Sequence, residues 1–287
     1  MIKLSLDGLT VKWDPGERVL YFGAAEKAAK PDIRYLKDMQ EVLYPVDGET
    51  TDDGDPRREL YFMFRDLHLP EHRALFREKG IRFDITVLVP GTIGKEFVKT
   101  AGHYHPFKPG TSFTYPELYE VLYGKADYLL QKPSNFDKPE EGLEEVIAVA
   151  AEPGDKVLIP SGFGHITINT GNDFLIMSNL VADNFASIYE PLRRMRGAGY
   201  CCLSGPANTQ APLFVSNPCY SSCPPLHYSR PVEAVPLLPE KGISQYQAFV
   251  RHPQSFTFLT HPEDFQEEFA RYLEALRQNS YNPEVTR

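Results

Sequence analysis

The stretch "PGDKVLIPSGFGHITIN", Pro153 to Asn169, has the most specific pattern in this 287-residue chain. Gly154 indicates a turn and is followed by an apolar run. Pro160 and Gly162 indicate a second turn, and a histidine follows at position 165. Proline and glycine interrupt a sheet ladder and favour turns, so the stretch predicts two short strands joined by a tight turn. We expect His165 to point inward from the second strand.

A second stretch, "TAGHYHPFKPGTSFTYPELYEVLYG" from Thr100 to Gly124, raises the question of a metal site. Alternate residues of a strand face the same side, so His103 and His105 can point together into the interior of a barrel. Two neutral imidazoles placed in this way supply half of a divalent metal site. The nearby Glu117 and Glu120 have opposite parity, and only one of them can face the histidines on a regular strand.

The two stretches together resemble the two motifs of the cupin superfamily. The later one matches the second motif, G-x5-P-x-G-x2-H-x3-N, without a mismatch. In the earlier one, Glu117 and Gly124 satisfy the E-x6-G part of the first motif, which selects Glu117 over Glu120. The spacer after His105 is longer than in the motif, so "FKPGTSFTYP", residues 107–116, is an insertion. We expect it to lengthen a loop at the barrel mouth without moving the ligands.

The cupin resemblance implies one metal site formed by His103, His105, Glu117 and His165. Three histidines and one carboxylate leave positions open on an octahedral metal such as Fe²⁺, Mn²⁺ or Ni²⁺. A closed tetrahedral zinc site would use every ligand and leave little room for a substrate. We therefore expect one catalytic divalent ion per subunit, with Fe²⁺ favoured and Mn²⁺, Ni²⁺ or Zn²⁺ as alternatives.

The region around these motifs is rich in short β-type runs. Apolar runs such as "RFDITVLVP" and "FLIMSNLVA" are separated by Gly, Pro, Asn or Asp at the spacing typical of a sandwich or barrel. No segment of helical length separates them, which argues against a parallel α/β sheet. The predicted fold class is all-β, a cupin double-stranded β-helix or jelly-roll barrel, with an N-terminal arm and a C-terminal extension that ends in an α-helix.

Three segments are predicted along the chain. Residues 1–75 form an N-terminal arm that packs on the barrel, with a few strands and one short helix over about residues 32–43. Residues 76–195 form the cupin barrel with the metal site. Residues 196–287 form an irregular extension rich in cysteine and proline, followed by a C-terminal helix.

The clearest helix lies in "THPEDFQEEFARYLEALRQNS", within which residues 262–279 are predicted to be helical. Thr260 can cap this helix, Pro262 suits its first turn, and Glu263 stands where a capping box requires it. Its apolar stripe, which includes Phe269 and Leu276, packs on the body of the protein or on a partner subunit.

Composition excludes several classes of function. The formal net charge is −9, which argues against a general nucleic-acid or anionic-membrane binder, because those need a basic face. Neither a signal peptide nor a membrane-spanning run is evident, so we expect a cytoplasmic protein. A homodimer is expected, since closed two-fold pairs are the commonest assembly.

The cysteines are clustered in the extension, at positions Cys201, Cys202, Cys219 and Cys223. Reduced thiols are the favoured interpretation in a cytoplasmic chain. A zinc cluster is the alternative, although the spacing lacks the C-x2-C pairs of familiar structural sites.

The residues around the motifs resemble the cupin-type glucose-6-phosphate isomerases of archaea and some bacteria. The similarity lies in "DITVLVPGTIGKEFVKTAGHYH", "ELYEVLYGKADYLLQ" and "IPSGFGHITINTGNDFLIM", and "IRYLKDMQEVL" near Arg34 is similar to an N-terminal segment of that family. It spans about residues 30 to 190. The resemblance implies an aldose–ketose isomerase that interconverts glucose 6-phosphate and fructose 6-phosphate, a step of glycolysis and gluconeogenesis.

The same resemblance implies roles for individual residues. Thr86, Thr100 and the backbone amide of Gly102 match the phosphate site of the family, and such donors bind phosphate without net positive charge. Taken alone, a threonine in "DITVLV" suits an ordinary strand equally well. Glu117 is a metal ligand or, once displaced, the base that moves the proton, and Tyr119 on the same face can hydrogen-bond the sugar. The metal would stabilise a cis-enediolate, and a metal-assisted hydride shift is the competing mechanism.

Two positions depart from the family pattern. The run "NFASI" stands where the family has "D-Y-G-T-I", so Phe185 offers no hydroxyl, and Gly162 stands where the family has a tyrosine. Contacts on this side of the pocket then differ, or come from Lys108 and Tyr115 of the insertion or from the extension after residue 200.

Three other functions are compatible with the sequence. One is a related sugar-phosphate isomerase or epimerase, for example one that accepts mannose 6-phosphate. Another is a non-catalytic cupin that binds a sugar phosphate. A cupin dioxygenase would share the ligand set but would not need the Thr86 and Thr100 pair.

Overall fold

The protein is described here by a computed structural model covering residues 1–23, 27–44, 55–138, 141–205, 212–233 and 235–281. Its strands, in chain order, are β1 (Ile2–Leu6), β2 (Leu9–Asp14), β3 (Val19–Phe22), β4 (Lys27–Ala29), β5 (Asp32–Tyr35), β6 (Glu59–Phe64), β7 (Ile81–Leu88), β8 (Thr92–Ile93), β9 (Glu96–Phe97), β10 (Glu117–Tyr123), β11 (Ala126–Pro133), β12 (Leu143–Ala151), β13 (Lys156–Ile159), β14 (Gly164–Ile168), β15 (Leu175–Ala182), β16 (Tyr200–Ser204), β17 (Pro212–Ser216) and β18 (His227–Ser229). Its α-helices are α1 (Arg73–Lys79), α2 (Glu190–Arg194), α3 (Gln245–Arg251) and α4 (Gln266–Gln278).

Two sheets form the barrel. The larger has the strand order β13-β10-β15-β7-β6-β5, and the smaller has the order β14-β11-β12-β18. Tyr119 on β10 packs against Tyr128 on β11 with ring centroids 5.2 Å apart, and the Tyr128 hydroxyl lies 3.6 Å from Met177 Sδ on β15. The sheets therefore face each other across a packed interior. The predicted all-β fold, a cupin jelly-roll barrel, is confirmed.

The larger sheet is covered on its outer face as well. Trp13 of the N-terminal meander β1-β2-β3-β4 packs against Phe62 and Phe64 of β6, with centroid distances of 5.2 and 5.8 Å. Tyr246 of α3 packs edge-on against Phe83 of β7 at 5.0 Å. Burial on both faces explains the nearly continuous apolar runs from which these strands were predicted.

The helix predicted over residues 32–43 is wrong. Residues 32–35 form β5, which pairs with β6, and single turns of 3-10 helix follow at Leu36–Asp38 and Gln40–Val42. The Leu36 amide donates to the carbonyl of Arg58 at 2.9 Å, so pairing with the neighbouring chain segment replaces the intrahelical bonds. Tertiary pairing here outweighs local helix propensity.

The C-terminal extension contains more regular structure than the sequence indicated. β16 and β17 form a hairpin beside β9 and β8, and β18 runs parallel to β12. The predicted capping box is also wrong, because Pro262–Phe265 form a 3-10 turn and α4 begins at Gln266.

The extension docks on the back of the larger barrel sheet. The Tyr272 hydroxyl of α4 accepts a hydrogen bond of 3.0 Å from the amide of Leu158 on β13. The amide of Gln245, which begins α3, donates to the carboxylate of Glu120 on β10 at 2.7 Å. Among the described residues, no helix is both long enough and apolar enough to cross a bilayer.

Candidate metal centre and active site

Backbone pairing brings the two histidine segments together. His103 forms an antiparallel bridge with His165 of β14, in which each amide donates to the other's carbonyl at 3.1 Å. The Thr100 amide donates to the carbonyl of Thr167 at 2.8 Å, so residues near 100–103 extend the smaller sheet beyond β14. Two antiparallel partners directly opposite each other present their side chains on the same face, which points both imidazoles into the barrel.

The larger sheet supplies the carboxylate. Glu117 opens β10 with its side chain toward the histidines, and Tyr119 shares that face. Glu120 has the opposite parity and points to the outer face, where it lies 3.7 Å from Lys156 Nζ. The structure therefore gives the two glutamates different environments, as their parity required.

Four side chains converge at the inner end of the pocket. Glu117 Oε2 lies 3.3 Å from His105 Nε2, 3.2 Å from His165 Nε2 and 4.0 Å from His103 Nε2. One ligand atom from each residue fits within a span of 4.8 Å. In the part of the chain that the structure describes, no other group of three or more His, Cys, Asp or Glu side chains has such spacing. The cysteines, all free thiols, therefore do not form the alternative zinc cluster.

The chemistry of this donor set fits a divalent cation. Glu117 Oε2 is buried and has no hydrogen-bond partner. His105 Nδ1 lies 2.8 Å from the carbonyl oxygen of Tyr115, which fixes the proton on Nδ1 and leaves the Nε2 lone pair directed at the cluster. A buried carboxylate oxygen without a donor, surrounded by imidazole nitrogens, is what a bound cation would satisfy.

The protonation states of the cluster agree with this fit. Burial, together with the neighbouring His165 and His105 rings, lowers the pKa of His103 well below its ordinary value. Burial also opposes ionisation of Glu117, but the adjacent imidazoles outweigh it, and the pKa of Glu117 lies well below its ordinary value. A neutral imidazole and an ionised carboxylate are the forms that bind metals.

The cluster lies in a pocket that also contains the proposed phosphate residues. Thr86, Thr100 and Gly102 line it, along with His103, His105, Glu117, Tyr119 and Phe185. Further side chains that the sequence did not single out contribute to the wall, among them Tyr61, Arg65, Arg82, Asp84, Asn179 and Tyr189. They come from separate strands and loops, and no local motif marks them.

Gly102 is required by its surroundings. Its φ is +73°, and a Cβ at this position would lie 2.3 Å from Ile166 and 2.7 Å from Leu192. The backbone can therefore approach the pocket here only without a side chain. Thr100 Oγ1 accepts a hydrogen bond of 3.0 Å from the Thr167 amide, which leaves its own hydroxyl hydrogen free to donate.

The residues at the two positions that depart from the family pattern, Phe185 and Gly162, both contact the insertion loop. Phe185 stacks on Tyr115 with centroids 4.8 Å apart and an interplanar angle of 10°, and it contacts the His105 ring at 4.6 Å. The Gly162 amide donates to Thr114 Oγ1 at 2.7 Å.

The sequence left open whether contacts on this side of the pocket differ or come from the insertion or the extension after residue 200. Neither Lys108 nor Tyr115 lines the pocket, and no described residue after position 200 does so. Tyr189 does line the pocket, and its ring lies 5.5 Å from that of His103. Tyr189 directly follows "NFASI" in the sequence, and this position could have marked it as a candidate pocket residue.

A jelly-roll barrel with three histidines and one glutamate converging on its interior defines this chain as a cupin. The glucose-6-phosphate isomerase (GPI) family model matches residues 37–211, more than half of the chain. The glucose-6-phosphate isomerase of Thermococcus litoralis is 34% identical over 160 residues, which cover 54% of this chain and 72% of that protein. The glucose-6-phosphate isomerase of Pyrococcus horikoshii is 32% identical over 169 residues, covering 58% and 79%. The chain belongs to the glucose-6-phosphate isomerase family and is an isomerase.

Solved structures with similarity to the chain include an oxalate decarboxylase and an oxalate oxidase. Oxalate decarboxylase of Bacillus subtilis aligns with 18% sequence identity and a TM-score of 0.32, over 45% of this chain and 28% of that one. An oxalate oxidase in complex with the substrate analogue glycolate aligns with 18% identity and a TM-score of 0.28, over 39% and 47%.

Proposed function

We propose that the chain interconverts glucose 6-phosphate and fructose 6-phosphate with one divalent metal ion bound by His103, His105, Glu117 and His165. One observation carries the proposal. Glu117 Oε2, buried and without a hydrogen-bond donor, lies within 4.0 Å of three imidazole nitrogens in the same pocket as Thr86 and Thr100. Family membership supports the choice of substrates. Three histidines and one glutamate leave positions open on an octahedral ion, and among such ions we favour Fe²⁺.

When bound, the divalent ion would supply Lewis-acid polarisation of the sugar carbonyl. The chain itself would orient the substrate. We assign the phosphate to the hydroxyls of Thr86 and Thr100 and to the amide of Gly102, since such donors suit an anion in a chain of net charge −9.

Two side chains are suited to proton handling beside the cluster. The low pKa of Glu117 keeps it ionised near neutral pH, so it can accept a proton or bind the ion. Burial and the nearby Glu117 carboxylate raise the pKa of the Tyr119 phenol well above its ordinary value, so its hydroxyl stays protonated and can donate to a sugar oxygen. The Tyr119 hydroxyl lies 3.1 Å from His165 Nε2, within reach of a ligand at the cluster.

The test is a coupled assay for fructose 6-phosphate conversion on chelator-treated protein, with Fe²⁺, Mn²⁺, Ni²⁺ or Zn²⁺ restored one at a time. We expect activity to be lost on chelation and restored best by Fe²⁺. No activity with any of these ions would contradict the proposal. Mannose 6-phosphate tested in parallel separates the related isomerase, which would convert mannose 6-phosphate to fructose 6-phosphate faster than it converts glucose 6-phosphate.

We also propose that the protein acts as a homodimer. Light scattering on the purified chain would report twice the mass of one chain, and a monomer mass at working concentration would exclude the proposal.

A further inference from the structure

The insertion loop, residues 107–116, contacts a proposed metal ligand at one end and the C-terminal extension near the other. The loop is longer than the spacer of the first cupin motif, and the extension beyond residue 211 lies outside the family match. The connection between the loop and the extension therefore reaches beyond the residues that match the family.

The inner end of the loop determines the orientation of His105. The Tyr115 carbonyl oxygen lies 2.8 Å from His105 Nδ1, and the Tyr115 ring stacks on Phe185, which in turn contacts the His105 ring at 4.6 Å. The imidazole is thus held by one hydrogen bond and one ring contact that both depend on Tyr115. Partners of this kind set the direction of a ligand's lone pair.

The outer part of the loop is tied to the extension. The ammonium of Lys108 forms an ion pair with Glu263, with only 19% and 29% of the two side chains exposed. Glu263 lies just before α4, which is fixed to the barrel by the hydrogen bond between the Tyr272 hydroxyl and the Leu158 amide. A partly buried pair is screened less than a surface pair.

Hydrogen bonds within the loop connect these two ends. The Lys108 amide donates to the carbonyl of Phe113 at 2.8 Å, which closes the loop on itself. The next residue, Thr114, donates its amide to Ser161 Oγ at 2.7 Å. The loop therefore forms a short braced path from Lys108 to Tyr115.

We propose that Lys108 and Glu263 are positioning residues for the metal centre: their ion pair holds the insertion loop so that Tyr115 keeps His105 Nε2 directed at the site. The inference rests on the proposed metal-dependent function. The C-terminal extension thereby stabilises one ligand of a site to which it contributes no lining residue among those described.

The first test measures metal affinity directly, by electron paramagnetic resonance titration of chelator-treated protein with Mn²⁺. Glu263→Gln and Lys108→Met should each raise the Mn²⁺ dissociation constant by about 5-fold, less than the roughly 10- to 100-fold typical of losing a direct ligand partner. The double variant should lose no more than either single variant, because both remove the same pair. Additive losses would contradict the proposal.

Glu145→Gln is the matched control. It breaks the pair between Arg277 of α4 and Glu145 of β12, whose N–O distances are 2.7 and 2.9 Å, and leaves the insertion loop untouched. We expect an unchanged Mn²⁺ dissociation constant. An increase equal to that of Glu263→Gln would mean that any loosening of the extension has this effect, and would overturn the specific role of Lys108 and Glu263.

Hydrogen–deuterium exchange separates this proposal from the metal proposal, because it needs no ion. In metal-free protein, peptides covering residues 107–116 should exchange faster in Glu263→Gln than in wild type or Glu145→Gln. Unchanged exchange would overturn the positioning role. If Glu263→Gln exchanges faster but the wild type binds no Mn²⁺, the contact between the loop and the extension is supported and the proposed metal function is rejected.

Discussion

Glu117 and Glu120 lie on one strand, three positions apart, and their environments drive their acidities in opposite directions. Glu117 faces three imidazoles and its pKa is well below its ordinary value. Burial raises the pKa of Glu120 to about 7, although Lys156 and the Gln245 amide partly offset this effect. Only the first carboxylate is thus fully ionised near neutral pH, which suits it alone to bind a cation.

At Thr86 the loss of one hydroxyl should weaken substrate binding. We expect Thr86→Val to raise the KM for fructose 6-phosphate about 10-fold with little change in kcat, since a hydrogen bond to a charged group contributes roughly 1.5–3 kcal/mol. Steady-state kinetics provide the measurement.

Thr167→Val is the matched control for this substitution. The Thr167 hydroxyl is buried without a hydrogen-bond partner, and the residue does not line the pocket. Its KM should equal that of wild type. A KM unchanged in Thr86→Val as well would remove Thr86 from the phosphate site.

Asp127 should make folding stability depend on pH. Burial raises the pKa of its carboxyl group to about 6, although it accepts a hydrogen bond from Thr170 Oγ1. The folded-state pKa exceeds the unfolded value, so the stabilisation is present at low pH and is lost as the pH rises through about 6.

Relative to Asp127→Asn, the unfolding free energy of the wild type should therefore fall between about pH 4 and pH 7, by up to about 3 kcal/mol. Urea denaturation of both proteins across this range measures the difference. Parallel stability profiles would show that the carboxyl group titrates normally.

At the scale of elements, the glycines of the two motifs have different tasks. Gly124 follows the last residue of β10 and has φ +83°, and a Cβ there would lie 2.3 Å from the carbonyl oxygen of Phe174. Gly154 has φ +92° but meets nothing within 4 Å. The first glycine is needed for both conformation and space, and the second for conformation only.

Alanine substitutions should separate these two requirements. We expect Gly154→Ala to cost about 1–2 kcal/mol of unfolding free energy for the left-handed conformation alone. Gly124→Ala should cost about 1–3 kcal/mol more, because backbone must shift to admit the methyl group. Thermal or urea denaturation of the two variants gives the comparison, and equal losses would contradict the steric account.

The barrel strands were predictable from sequence because their apolar runs have strand length and are separated by turn-forming residues. "RFDITVLVP" became β7 and "FLIMSNLVA" became β15, each bounded by turn residues. The convergence of His103, His105, Glu117 and His165 also followed from strand parity and the two motifs.

What the sequence missed depends on contacts between distant segments. Residues 32–35 became a strand only because β6 lies beside them. Glu263 pairs with Lys108 in a loop more than a hundred positions earlier, where local reasoning placed it in a capping box. Tyr189 and Tyr61 reach the pocket from separate segments, and no short motif reports such proximity.

For the whole molecule, the segments at both ends of the chain pack on the outer face of the larger sheet. The N-terminal meander packs on β6 through Trp13, and α3 and α4 dock on β10 and β13 through Gln245 and Tyr272. A sheet covered on its outer face holds its inner side chains in fixed positions, which a metal centre requires.

The central claim is that these inward side chains bind one metal ion, and metal content after dialysis tests it most directly. Elemental analysis should find one divalent ion per chain in the wild type and in His252→Ala, an exposed histidine outside the cluster. His165→Ala should lose the ion, because it removes a ligand that no other described side chain can replace at that position. Metal content in His165→Ala equal to that of the wild type would contradict the account.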